Sequence, residues 1–199
     1  MASGLARFTN DVELMEDGSI SYVTWRNHIP GRHNAGSSFT KLNQYVSIYE
    51  SGAYHCILFD GSIVRASFKF EKNLLIQENL MYWPAPLTVP EDEVDELGIR
   101  DAIDMRLLSL NSNSEALNMR TPFRIDYDLS NANDMHPETH LHIQHSDCRI
   151  SVNKPICFNT FIRFIISNFY PYSQQSVVDR LGTINYSGYK SGKEARIVF

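Results

Sequence analysis

Tyr54-His-Cys-Ile-Leu-Phe-Asp-Gly-Ser-Ile-Val-Arg-Ala-Ser-Phe-Lys-Phe70 is the stretch whose reading decides the fold. Two runs rich in β-branched and aromatic residues flank Asp60-Gly61, a pair that suits the positive-φ positions of a tight hairpin turn. Just upstream, Tyr45-Val-Ser-Ile-Tyr49 has similar residue types and Ser51-Gly52 offers another turn. The spacing therefore predicts a three-strand antiparallel meander over 45–70.

Working outward, residues 1–40 are turn-rich, punctuated by Asp17-Gly18, Pro30-Gly31 and Gly36-Ser-Ser38, with one early strand at Tyr22-Val-Thr-Trp25. Leu74 to Trp83 has apolar spacing that suits a strand or a short helix, and Pro84-Ala-Pro86 then stops regular structure. Pro90 followed by Glu91, Asp92 and Glu93 starts a helix, because proline lacks the N–H that is orphaned there and acids favour the positive end of the helix dipole. Gly98 interrupts it before a second helical stretch, Ile99 to Leu108, and Asn111-Ser-Asn-Ser114 is a loop. Phe123-Arg-Ile-Asp-Tyr-Asp128 alternates as a half-buried strand does, with Arg124, Asp126 and Asp128 on one face. Asn159 to Tyr170 is the clearest helix, with Phe161, Ile162, Ile165 and Phe169 on one side and Pro171 ending it. The polar remainder, 172–199, closes with a strand-like Ala195-Arg-Ile-Val-Phe199. Strands first and a strand–helix mixture later predict a single α+β domain over 1–199, with an antiparallel sheet, a few packed helices, a turn-rich start and a polar tail.

Composition supports one domain with a real core. The chain has 199 residues, of which 43% are hydrophobic, and its eleven Phe, ten Tyr and two Trp favour strands. A net charge of −5 argues against a long nonspecific nucleic-acid surface. Local basic groupings are Arg65, Lys69 and Lys72, then Arg149, Lys154 and Arg163. Cys56, Cys148 and Cys157 lack metal-site spacing and are odd in number, so a disulfide framework is not expected and a reducing, cytoplasmic setting is. The N-terminus has no apolar core of a signal peptide, and the longest apolar run, around 158–169, is broken by Arg163 and too short to span a bilayer, so no membrane association is expected.

Chemistry concentrates in His136-Pro-Glu-Thr-His140-Leu-His142-Ile-Gln-His145-Ser-Asp-Cys-Arg149, where four of the seven histidines fall within ten residues. Histidine titrates near neutrality and ligates metals, so such clustering marks a candidate site. In a strand, Glu138, His140 and His142 share a face and Leu141 and Ile143 take the other, while Ser146-Asp147 turns the chain into a return strand, Cys148 to Val152. Pairing of this strand with 123–128, polar faces aligned, would bring carboxylates and imidazoles together.

Named histidine patterns do not fit. The third alternate histidine of the histidine-triad hydrolases is replaced by Gln144. The Glu and glycines of a cupin site are missing, and Gln144 also stands where a metallo-β-lactamase has Asp. A generic divalent-metal site remains, with His140 and His142 joined by Asp126, Asp128 or Glu138. So does a metal-free site, with histidine as general base and Arg149 holding a phosphate, which suits RNA cleavage. The bland alternative is a hydrogen-bonded hairpin or partner interface, a common role for neutral histidines on half-buried strands. Asp60-Gly61 with Ser67-Phe-Lys69 has a serine where a nuclease core has an acid, and turn chemistry already explains it. Cys148 is better read as an inert thiol than as a nucleophile. His28, His33 and His55 read as structural.

The segments 123–128, 136–142, Cys148-Arg-Ile150 and Phe161-Ile-Arg-Phe-Ile-Ile-Ser-Asn-Phe-Tyr-Pro171, with Phe59-Asp-Gly-Ser and Tyr82-Trp-Pro-Ala-Pro86 upstream, resemble a family of small bacterial proteins of unknown function. That resemblance implies a toxin–antitoxin or phage-defence setting and action on RNA or DNA. The expectation is a cytoplasmic protein with a histidine-centred phosphodiesterase site. His140 and His142 serve as acid–base groups or ligands of a divalent metal ion, Arg149 as phosphate clamp, and Asp126 or Asp128 as orienting or ligating carboxylate. RNA is a candidate substrate and a protein partner is also expected. The alternative is a non-catalytic subunit that binds a protein in a defence or toxin–antitoxin complex through aromatic surface and sheet edges.

Overall fold

In a computed structural model, residues 5–29, 41–110, 117–118, 120–145, 147–170 and 179–182 are described. Alternation along the 123–128 strand propagates across a sheet in which every pairing is antiparallel. The described strands are β1 (Ala6–Thr9), β2 (Val12–Asp17), β3 (Ile20–Trp25), β4 (Cys56–Leu58), β5 (Ile63–Glu71), β6 (Leu74–Trp83), β7 (Phe123–Asp128), β8 (Thr139–Ile143) and β9 (Ile150–Ser151). Their order is β1-β4-β5-β6-β7-β8-β9. The β2–β3 hairpin joins through β3 to the far end of β5, beyond the part that pairs with β4. Four helices complete one α+β domain: α1 (Leu42–Ser51), α2 (Glu91–Leu97), α3 (Ile99–Ser109) and α4 (Phe158–Phe169).

Two expectations are corrected. Residues 45–49 are not the first strand of a meander but the middle of α1. Tyr45, Ile48 and Tyr49 recur at helical spacing and all are buried, and Gly52, at φ 66°, supplies the left-handed cap that ends the helix. Four aromatic or β-branched residues give a strand signal that burial at i, i+3 and i+4 overrides. The N-terminal segment is also more regular than its turn residues suggest, since 5–25 carries three strands and Asp17-Gly18 is merely the turn between two of them. The segments expected as a loop at 111–114 and as a strand at 195–199 lie outside the described residues.

Other local expectations hold, while the return strand expected over Cys148 to Val152 is confined to Ile150–Ser151. Asp60-Gly61 turns β4 into β5, with the Asp60 carboxylate accepting the Ser62 N–H at 3.0 Å. Gly61 is required there: its φ is 82°, and a Cβ would meet Val89 at 3.1 Å and Ala85 at 3.2 Å. The 74–83 segment resolves as a strand, turned from β5 by Lys72 and Asn73 at positive φ. The sheet separates two cores. Helices α1 to α3 bury Tyr45, Ile48, Val94, Ala102 and Ile103 against Ile57, Ile63, Met81 and Trp83. On the opposite side α4 buries Phe161 and Ile165 against Val64, Leu80, Phe123, Ile125 and Leu141.

Candidate functional site: a buried histidine–aspartate–arginine cluster

Register decides which side chains meet. Across β5 to β8 one row of directly opposed residues is Arg65, Met81, Arg124 and His142, and the next row on the same face is Ser67, Asn79, Asp126 and His140. The face is apolar where the first three helices cover it and turns polar from these rows outward. Of the residues expected to converge, Asp126, His140 and His142 do so, because the hairpin partners align Asp126 with His140 and Arg124 with His142.

Asp126 is the hub. Its Oδ2 accepts from Arg124 Nε at 2.7 Å and lies 2.7 Å from Arg124 Nη2, 3.2 Å from His142 Nε2 and 3.9 Å from His140 Nε2. Its Oδ1 accepts from Asn79 Nδ2 at 2.6 Å. The rings of His140 and His142 are 4.6 Å apart, and His136 adds a third imidazole 4.5 Å from His140. Both strand histidines are buried, whereas the side chains of Asp126 and Arg124 keep 16% and 17% of their surface and mark where the cluster meets solvent.

Electrostatics follow from burial and charge. Burial on its own would raise the Asp126 carboxyl, but Arg124, the His142 hydrogen bond and the histidine charges overcome it and hold it down at about 2. Burial pushes His140 down to about 4, outweighing the pull of Asp126, so its imidazole is neutral at physiological pH. His136 is lowered too, by burial first and then by Arg149. Since a carbonyl only accepts, the 2.8 Å contact from His140 Nδ1 to Pro137 O fixes the proton on Nδ1 and leaves a lone pair on Nε2, facing Asp126.

Arg65, which the sequence reading grouped with Lys69 and Lys72 as a local basic patch, instead lies in the row of Arg124 and His142. It is 2% exposed, stacks over Trp25 at 4.7 Å, and has neither Nε nor Nη1 hydrogen-bonded. Burial and the neighbouring Arg124 depress it to about 10, against the attraction of Asp126, so it still carries its charge at neutral pH. The available signal was an arginine inside the apolar run Ser62-Ile-Val-Arg65-Ala66. Asn79 carried no signal, since its role depends on register alone.

Other expected residues fall outside the hub. Asp128 ties down the turn after β7, accepting from Ser130 N and Oγ and from Asn131 Nδ2, and it reaches the histidines only through its charge on His136. Arg149 is half-buried with an unpaired Nε and acts on His136 rather than on Asp126. His145 sits at the end of β8, bonded to the Asp147 N–H. Asp60 is engaged by Arg120 and Tyr170 on the other face.

Residues 5–193 match the family described as Uncharacterized conserved protein (DUF2290). The chain belongs to that family. No curated protein and no solved structure matches this DUF2290 chain. No helix among its described residues is long and apolar enough to cross a membrane.

Within this DUF2290 chain, Asp126, His140 and His142 bring one carboxylate oxygen and two ring nitrogens within 4.8 Å of one another, a set that suits a divalent ion. The His140 Nδ1–H bond to a backbone carbonyl is the kind of support that orients a metal-ligating imidazole. An ion there would have to share Oδ2 with the Arg124 fork. With His140 neutral, the two guanidiniums Arg65 and Arg124 outnumber the one carboxylate of Asp126, a balance of fixed charges that suits an anion.

Proposed function

We propose that this protein cleaves phosphodiester bonds in RNA by metal-independent acid–base catalysis at the Asp126–His140–His142 cluster, with Arg65 and Arg124 binding the phosphate. The observation that carries the reading is Arg65, a buried guanidinium with two unpaired N–H groups in the same cross-strand row as Arg124 and His142. An unpaired buried charge costs several kcal/mol, on the order of 3–5. An anionic ligand would satisfy those donors in a bidentate fashion.

Without a metal to generate hydroxide, the nucleophile best suited to such a site is the substrate's own 2′-hydroxyl, which is why RNA fits and DNA does not. Neutral His140 takes the 2′-OH proton on Nε2 as the 2′-oxygen attacks phosphorus. The P–O5′ bond breaks, and the leaving 5′-oxygen receives a proton from the imidazolium of His142, which Asp126 stabilises. The guanidiniums meet the charge that builds on the non-bridging oxygens. Arg149, at the His136 edge, is placed to hold a flanking phosphate. RNA cleavage of this kind fits the toxin- or defence-type setting that the family resemblance implies.

The test is incubation of purified protein with single-stranded RNA and the same sequence as DNA, in chelator. RNA-only cleavage leaving 2′,3′-cyclic phosphate ends, abolished in His142→Gln and Arg65→Met, is the expected result. Cleavage that appears only with added divalent ion would instead support the metal reading of the same three residues, which the inward-facing Nε2 lone pair of His140 favours. Inactivity under both conditions would turn attention to partner binding, for which β2 offers an edge that pairs only with β3 among the described residues and carries Val12 and Leu14, both more than 60% exposed.

A further inference from the structure

The face of the sheet opposite the histidine cluster holds a cavity of about 730 Å³, between the end of α4 and the strands β6, β7 and β8. Its walls are flat and aromatic. Phe123 and Phe169 lie nearly parallel, 5.7 Å apart at 16°, and Tyr82 packs 4.9 Å from Phe169. Phe169, the last residue of α4, stays 44% exposed although it packs on the rings of Tyr82, Phe123 and Phe164. Exposed ring surface inside a concavity is surface that a ligand can remove from water.

One end of the cavity is polar and rigid. The Tyr82 and Tyr170 hydroxyls are 2.9 Å apart, and Tyr170 donates to the Asp60 carboxylate, 3.1 Å from each oxygen. Arg120 reaches Asp60 Oδ2 through Nη1 at 3.0 Å, while its side chain remains 44% exposed. With Asp60 saturated by these donors and by the Ser62 N–H, the carboxylate is not the group left to meet a ligand. The outward part of the Arg120 fork is, and it donates to anions.

From this pairing we propose that the cavity binds a small planar aromatic ligand carrying an anionic group, its ring against Phe123 and Phe169 and its anion on Arg120. The volume suits a molecule of mononucleotide size, since pockets for such ligands span roughly 300–1,000 Å³. Because the cavity and the histidine cluster lie on opposite faces of β7 and β8, this site operates whether or not the cluster cleaves RNA.

The test is calorimetric titration of the full chain with two probes of this class, adenosine monophosphate and indole-3-acetate, which distinguish a nucleotide from a simpler aromatic acid. Binding of either at one per chain is expected. It should weaken at least tenfold in Phe169→Ser and lose most of its salt dependence in Arg120→Gln, two rim substitutions that leave the core intact. Failure of both probes at millimolar concentration overturns the proposal. So does binding that both variants retain, because it then lies elsewhere, and so does a concentration-dependent dimer that these variants disperse, because the cavity would then be an interface between copies.

Discussion

The two faces of strands β5 to β8 share a backbone yet follow opposite rules. On the α4 face, Leu80, Phe123, Ile125 and Leu141 are packed against Phe161 and Ile165, and nearly every group finds its satisfaction in apolar contact. On the other face, residues one position along each strand bring one guanidinium, an aspartate and two histidines into contact at little or no exposure, with a second guanidinium, Arg65, buried in the same row. The first arrangement is what stability selects. The second carries desolvation costs that packing alone does not explain, and that contrast is why the polar face reads as functional. One exception tests the rule: Glu78 lies on the α4 face, where burial pushes its carboxyl well up, against the opposing effect of the Ile156 N–H it accepts from.

The contrast can be broken most forcefully on the apolar side. Phe161→Ala removes a fully buried ring that meets Phe123 edge-on and should cost about 3–5 kcal/mol in the urea unfolding midpoint. A loss below about 1 kcal/mol would mean that α4 is not seated on the sheet.

On the polar side acid should act next. His140 and the half-buried His55 are both held at about 4, below the ordinary value near 6.5, so the unfolded chain binds more protons between those limits. Stability should therefore fall as pH drops from about 6.5 to 4, by up to about 3 kcal/mol for each histidine. A His140→Gln variant should lose its share of that slope in thermal melts across this range. An unchanged slope would show that His140 is charged in the folded protein.

Replacing Arg65 by methionine sharpens the comparison, because the expected signs differ. Removing a buried charge with unpaired donors in favour of an isosteric apolar chain should leave stability unchanged or raise it by about 1–3 kcal/mol. Phosphate binding and cleavage should disappear in the same variant. Destabilisation with activity retained would make Arg65 a structural residue.

The smallest effect is expected just beyond the cluster. Asp128→Asn weakens turn hydrogen bonds at a half-buried site and should cost about 0.5–1 kcal/mol with cleavage unaltered. A large loss of cleavage would extend the site to Asp128.

Alternation at 123–128 and 138–143 was enough to foretell that Asp126, His140 and His142 share a face, because the strand period of two leaves no freedom once one face is buried. Asp60-Gly61, Gly98 and the 158–169 stripe were legible for equally local reasons: a positive φ, a helix break and a 3.6-residue repeat. The α1 segment was not, since Tyr45-Val-Ser-Ile-Tyr49 satisfies strand propensity and helix periodicity alike, and the choice came from what those tyrosines bury against: Gly61 and the carbonyl of Arg100, to which their hydroxyls donate. Nor could local pattern add Arg65 and Asn79 to the cluster, or exclude Asp128 from it. Those memberships depend on the register of β5 against β6 and of β6 against β7, pairings set by long-range burial that no single segment encodes. The sequence by itself therefore determined the faces of individual strands and the existence of a histidine centre. Tertiary structure alone decided its charge balance, because only cross-strand pairing brings a second guanidinium from forty or more positions away.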